Sequence, residues 1–314
     1  MIRYLLNRVA QAAVVLLGVT VVVFALVHLV QGDPIRRSLG TSFDPETYAA
    51  LRERAGFDKP LLQQYVSYLG NALTGDLGVS FRSGEPVTVI LFERLPATLT
   101  LAIAALVVAL VIAVPLGVVS AVRQGSRTDR AATVVSQVGV SLPDFWMAIL
   151  FILLFAGALG WFPASGYESP LGDPIGWLHH VTLPALTIGL VSGSILTRFV
   201  RSAVLESLGQ DYTRTARSKG LSEGVVVRRH VLRNALVPIV TVTGVQLASL
   251  LGGVIVIEVI FAWPGLGRLT LDAVLARDYP VMQGSVLLFA AMFLLVNLIV
   301  DLLYAALDPR ISYR

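Results

Sequence analysis

Three carboxylates fall where this chain is most apolar. Asp144 (SLPDFWM), Glu258 (VIEVIFAW) and Asp301 (LIVDLLY) each interrupt a long hydrophobic run. A charge in lipid is costly, so such a group turns toward a bundle interior, a partner or water. Asp144 follows Pro143, near the middle of a span that this proline is expected to bend, and carries Phe145 and Trp146 beside it. Two roles stay open for it. It lines a path for a cationic group, or it caps a helix or meets a partner chain. Glu258 is read as a gate or as a structural partner of Arg268, and Asp301 as paired near the inner end of its span.

Nucleophilic chemistry is poorly supplied. GLVSGS offers Ser192 and Ser194, but the four histidines, His28, His179, His180 and His230, do not align with them. Serines in helices commonly bond back to carbonyls. No catalytic residue is assigned. His179 and His180 are adjacent, and neighbours on a helix face apart, so no metal site is assigned. The only lysines are Lys59 and Lys219, and neither belongs to a G-x-x-x-x-G-K-[ST] phosphate loop. The chain is therefore no P-loop ATPase. It contains no cysteine.

The densest remaining chemistry is the basic stretch DYTRTARSKGLSEGVVVRRH, residues 211–230. It can be a solvated loop held inside by its charge, a contact for anionic lipid headgroups, or a docking element for another subunit. A charge patch alone requires neither Ala216 nor Gly220. The 3–4 spacing of Leu196, Phe199, Val200, Ala203, Val204 and Leu208 continues the preceding helix beyond the membrane. A short helix fits YTRTARSK, Gly220 closes it, and Ser222 caps the next. That helix carries Val227, Val231, Leu232, Ala235 and Leu236 on one side, with Arg229 and Arg233 on another.

The elements that must position these residues are membrane helices. The 314 residues are 55% hydrophobic and 14% charged, against about 25% charged in soluble domains. Six runs reach the roughly 20 residues a span needs: 9–30, 98–122, 133–158, 182–204, 236–261 and 282–307. The first follows the basic MIRYLLNR and is too long for a signal segment. Pro115, Pro143, Pro184 and Pro238 lie in or near spans, where neighbouring helices satisfy freed carbonyls. Gly117 and Gly252-Gly253 allow close helix approach.

With the N-terminus inside, the inner side holds Arg3, Arg8, Arg123, Arg127, Arg130, Arg310, Arg314 and eight basic residues of 198–235. The short outer loop 159–181 has no Lys or Arg, so both termini are cytoplasmic. The divisions are 1–30, the first span; 31–97, an extracytoplasmic helical loop; and 98–314, five spans with a cytoplasmic loop near 205–235. In the outer loop, Leu61, Leu62, Tyr65, Val66, Leu69 and Leu73 share a helical face. That face packs over the bundle or serves an external partner.

The stretch DYTRTARSKGLSEGVVVRRHVLRNALVP resembles the EAA loop of binding-protein-dependent ABC importer permeases, in its dipeptide and oligopeptide form. Ala216, Gly220 and the downstream Pro238 match. Arg214 stands where the general motif has Glu, Thr215 where it has the first Ala, and the proline is further off. GDLGVSFRSGEPVTVILFERLPATL, VSLPDFWMAILFILLF, GWFPASGY, FAWPGLGRL, RDYPVMQG and VNLIVDLLYAALDPRI resemble the same family in the same order.

The resemblance implies an all-α polytopic protein with six transmembrane helices of the type I ABC importer permease kind, in the bacterial inner membrane. It implies a second homologous permease forming a heterodimer, two cytoplasmic ATPase subunits or one fused ATPase, and an extracytoplasmic substrate-binding protein. ATP and Mg belong to the ATPases; this chain binds no cofactor, and no nucleic acid is a partner. Asp211, Tyr212, Arg214, Thr215, Ala216, Arg217, Lys219, Gly220 and Leu221 become the ATPase-coupling residues. Asp144, Phe145, Trp146 and Glu258 become the substrate path. The cargo is a dipeptide or oligopeptide, or else a nickel or other metal chelate or haem. An ion-coupled secondary transporter is the rival class, but the internal repeats expected of many such carriers are not seen.

Overall fold

A computed structural model describes residues 2–29, 35–36, 44–55 and 58–307. The basic residues Arg310 and Arg314 lie outside the described residues. The described residues are helical throughout, with one isolated β-bridge, Val79 to Pro86, and no strand. Contacts divide the chain into two compact units, Met1–Thr98 with Pro264–Leu294, and Leu99–Trp263 with Leu295–Arg314.

The first unit contains α1 (Ile2–Leu29), α2 (Pro45–Ala55) and α3 (Leu61–Leu73). It also takes the start of α4 (Val87–Val122). Its interior gathers Val27, Phe81 and Tyr279 with Ile35. Asp278 receives the Ser80 hydroxyl and the Phe81 amide, the latter at 3.1 Å. The Leu266 amide donates to Thr98 Oγ1 at 2.8 Å. Buried polar groups demand such partners, and these fix distant segments to one another.

The second unit takes the rest of α4, then α5 (Arg127–Ser141) and α6 (Asp144–Phe151), which continues as a π-turn over Ile152–Ala158. Next come α7 (Pro174–Leu208) and α8 (Asp211–Ser218). A helical lead-in, Glu223–Val225 and π-helical Val226–Val231, enters α9 (Leu232–Gly253), followed by α10 (Ile255–Ile260). Two further helices, α11 (Leu266–Ala276) and the opening of α12 (Tyr279–Leu307), return to the first unit.

Among the described residues, five helices are long and apolar enough to cross a membrane: Leu5–Leu29, Val87–Val122, Pro174–Leu208, Glu223–Gly252 and Tyr279–Leu303. The run 133–158, read as one span that Pro143 bends, does bend there. Leu142 and Pro143 break it, and the two pieces bend by 99°. Pro143 holds its extended conformation as the N-cap of α6, with φ −65° and ψ 136°. It also disfavours helical backbone at Leu142. Hydropathy records that the stretch is apolar and carries no information on its direction. By contrast, α7 runs through Pro184, and α9 through Pro238, as single helices.

Small residues decide how closely the second unit packs. A Cβ on Gly117 would stand 2.7 Å from Val200 Cβ and 2.9 Å from Thr197 O, so α4 and α7 touch backbone to side chain. A Cβ on Gly139 would collide with Ser194, which seats α5 on α7. Gly252, expected to serve the same purpose, has nothing within 4 Å.

Candidate coupling bracket and path residues

Helix α7 ends at Leu208, and Gly209 and Gln210 turn the chain into α8. Two inward side chains hold α8 in place. Thr213 is wholly buried and donates through Oγ1 to Ser207 O at 2.9 Å. Ala216, one turn on, is 6% exposed and joins a core of Leu196, Val200, Val204, Val226, Val231 and Ala235. Ala216 was placed among the coupling residues. It faces the chain's own core, where a small side chain lets α8 lie close to the π-helical lead-in Val226–Val231.

The other coupling residues, Asp211, Tyr212, Arg214, Thr215, Arg217, Lys219, Gly220 and Leu221, are exposed. The Arg214 side chain is 82% exposed, and its contact with Asp211 is long, at 3.8 Å. Arg217 forks onto Glu223 at 2.6 and 3.1 Å, tying the end of α8 to the lead-in of α9. That hydrogen bond holds the Arg217 pKa above its usual value. Gly220 adopts φ +78°, and its amide bonds Arg217 O at 2.9 Å. Ser222 occupies the N-cap position as expected, though its side chain makes no capping bond.

The lead-in departs from the 3.6-residue pattern. In a π-turn, residues five apart align. Val226 and Val231 therefore stack into the core, and Ala235 follows. Leu236, expected on that buried side, is 51% exposed.

Sequence reasoning missed a clamp behind the bracket. Arg201 on α7 forks onto Asp129 at the start of α5, Nε to Oδ1 at 2.8 Å and a terminal nitrogen to Oδ2 at 3.0 Å. Ser120, near the end of α4, donates to Asp129 at 2.5 Å and accepts from Arg201 Nε at 3.1 Å. The Gly125 amide completes the carboxylate's set at 2.9 Å. The Asp129 side chain is 8% exposed. A local signal was present. Ser126-x-x-Asp129 is a capping-box spacing, and Ser126 does accept the Asp129 amide. The partner Arg201, 72 residues away, has no local signature.

The four path residues divide. Asp144 is half-buried at the first turn of α6, with Phe145 and Trp146 exposed beside it. Glu258, in α10, is completely buried within the chain and so lines no open surface in this conformation. Helix α10 packs on α6. His179 and His180, expected to face apart, both border a cleft of about 510 Å³ with Phe162 and the π-turn of α6. His180 Nδ1 donates to Gly176 O at 2.8 Å, and His179 lies against the Phe162 ring. Ser194 bonds back to Leu190 O at 2.8 Å, and Ser192 accepts from Gln246.

These helices define a polytopic membrane protein with the fold of type I ABC importer permeases. The MetNI methionine ABC transporter, in an inward-facing form, contains a chain that superposes with a TM-score of 0.60 at 20% identity, over 71% of this chain and 99% of that one.

The sequence carries the assignment further. Residues 113–313 match the family described as binding-protein-dependent transport system inner membrane component, and residues 1–102 match its N-terminal companion. The chain belongs to that family. A putative peptide transport system permease protein of Brucella abortus is 44% identical over 313 residues, with both chains covered in full. The dipeptide transport system permease protein of Alkalihalophilus pseudofirmus is 41% identical over 334 residues, and the glutathione transport system permease protein of Escherichia coli O6:H1 is 41% identical over 314, again end to end.

Proposed function

We propose that this chain is one of two homologous membrane subunits of an ATP-driven importer of short peptides. One observation carries the mechanism: α8 is fastened to the bundle by Thr213 and Ala216 while its opposite face is exposed. An element with one fixed face and one free face transmits force between the partner on the free face and the helices on the other. The names of the relatives, dipeptide, peptide and glutathione permeases, support a short peptide as cargo.

In this reading, cytoplasmic ATPase subunits bind ATP and Mg and seat Asp211, Tyr212, Arg214, Thr215, Lys219 and Leu221. Their closure displaces α8 and with it the end of α7. The Asp129–Arg201 clamp passes that displacement to α5, which precedes the Pro143 break and Asp144. Asp144, with Phe145 and Trp146, faces the peptide and meets its ammonium group. Glu258 supports the packing. An external binding protein delivers the peptide, and the spans alternate between two openings as ATPase closure shifts their populations.

The test is reconstitution in proteoliposomes with the second permease, the ATPases and the binding protein, followed by uptake of labelled dipeptide. Uptake should need ATP and every subunit, and Arg214→Glu should reduce capture of the ATPases with the bundle intact. Uptake by this chain alone overturns the ATP-driven reading. ATP-driven uptake of a metal chelate or haem, with peptides ignored, overturns the cargo.

A further inference from the structure

Helix α3 presents itself the wrong way round for a helix standing in water. At about 100° per residue its side chains fall into three strips. Gln64, Tyr65 and Tyr68 are half-buried and turn to α1. Gln64 Oε1 meets His28 Nε2 at 2.9 Å, Tyr65 OH meets Thr20 Oγ1 at 3.0 Å, and the Phe24 ring lies against both tyrosines, with centroids at 5.3 and 6.1 Å. The second strip is Leu62, Val66, Leu69 and Leu73, with Leu62 76%, Val66 61% and Leu73 81% exposed and Leu69 half-buried. The third, Gln63, Ser67 and Asn71, is exposed and uncharged.

A helix at a protein–water boundary buries its apolar strip and exposes its polar one. In α3 Gln64 and Tyr65 take hydrogen-bond partners from α1 while Leu62, Val66 and Leu73 stand exposed on the neighbouring strip, as lipid surroundings require. Three further observations fix what covers the leucines. Helix α3 contains no charged residue, and Lys59 and Asp76 stand just beyond its ends. Its partners Thr20, Phe24 and His28 lie in the half of α1 remote from Arg8, inside the candidate span Leu5–Leu29. That same stretch of α1 exposes Val21, Val22, Leu26 and Leu29, so an apolar surface already assigned to lipid lies on the helix that α3 packs against.

We infer that α3 is an interfacial membrane helix. Leu62, Val66, Leu69 and Leu73 lie among phospholipid acyl chains, and Gln63, Ser67 and Asn71 lie at headgroup level. Its 13 residues extend about 20 Å, too short to cross the roughly 30 Å core. The face read from sequence as a cover for the bundle or a dock for an external partner divides: Tyr65 packs on α1, and Leu62, Val66, Leu69 and Leu73 form the lipid face.

The absence of cysteine makes the test direct. Val66→Cys, Leu62→Cys and Gln63→Cys are each labelled with an environment-sensitive fluorophore. The labelled chain is assembled with its partner subunits in phosphatidylcholine–phosphatidylglycerol liposomes, and the unaltered complex serves as the blank. Doxyl-labelled lipid should quench the labels at 62 and 66 about threefold more than the label at 63, with aqueous iodide showing the reverse order. Iodide reaching position 66 as freely as position 63 overturns the inference. So does shielding of 62 and 66 from both quenchers, which would mean that a protein covers the strip.

Discussion

Replacing Gly220 separates backbone strain from every other contribution to the bracket. Its φ of +78° lies in the left-handed region, and a Cβ built there finds no atom within 4 Å. No clash adds to the cost, so the penalty is conformational: about 1–2 kcal/mol for alanine, less for asparagine, more for β-branched valine. A cost of 1–2 kcal/mol shifts the equilibrium between the closed turn and a frayed one about 5- to 30-fold. Because the Gly220 amide bonds Arg217 O, fraying releases the last turn of α8 first. If α8 must be pre-formed to seat in the ATPase, apparent affinity falls by up to the same factor. Gly220→Asn, Gly220→Ala and Gly220→Val are titrated with labelled ATPase subunits against the permease pair in nanodiscs, and thermal melting of the bundle is followed alongside. Affinity should fall in the order Gly, Asn, Ala, Val, with melting shifted by no more than about 1 °C. Asparagine as poor as valine refutes the strain argument. Four equal affinities refute the need for a pre-formed α8.

Three further outcomes follow from the same geometry. Asp129→Asn removes one charge of a bidentate pair whose arginine keeps 29% of its side chain exposed; it should cost about 1–3 kcal/mol, below the loss for a fully buried pair, and should raise the ATP hydrolysed per peptide imported, both measurable on the reconstituted complex. Thr213→Val removes the bond to Ser207 O and should lower bracket stability by about 1 kcal/mol, seen as faster amide exchange in α8, whereas Thr215→Val on the exposed face should leave exchange unchanged. Asp144→Asn should reduce peptide uptake with full yield of the assembled complex; normal uptake would remove Asp144 from the path.

Local chemistry made the bracket legible. Helix α8, the glycine that ends it and the extension of α7 past the spans all follow from spacing and capping over a few residues. The motifs that marked the family also meet in pairs: Ser80 and Phe81 of GVSFRSG hold Asp278 of RDYP, and Tyr167 of GWFPASGY stands edge-on to Trp263 of FAWPGLG at 4.8 Å. What was not legible depends on direction or on distant partners. Pro143 announced a bend in its span, but composition could not supply its 99° size, the π-turn that brings Val226 to Val231, or the side of α3 that meets α1. The small residue at 216 marks a close approach, but a pattern of small residues does not say to what.

That distinction also explains Arg214. Ala216 and Thr213 answer to the chain's own core, so their size is dictated from within. Arg214 is exposed, and its 3.8 Å contact with Asp211 is a surface pair worth little. Nothing in this fold asks for a positive or a negative charge there. In the proposed docking, the residue that stands where the general motif has Glu is set by the surface that α8 meets. An arginine calls for acidic or carbonyl groups on that surface, where a glutamate would call for basic ones.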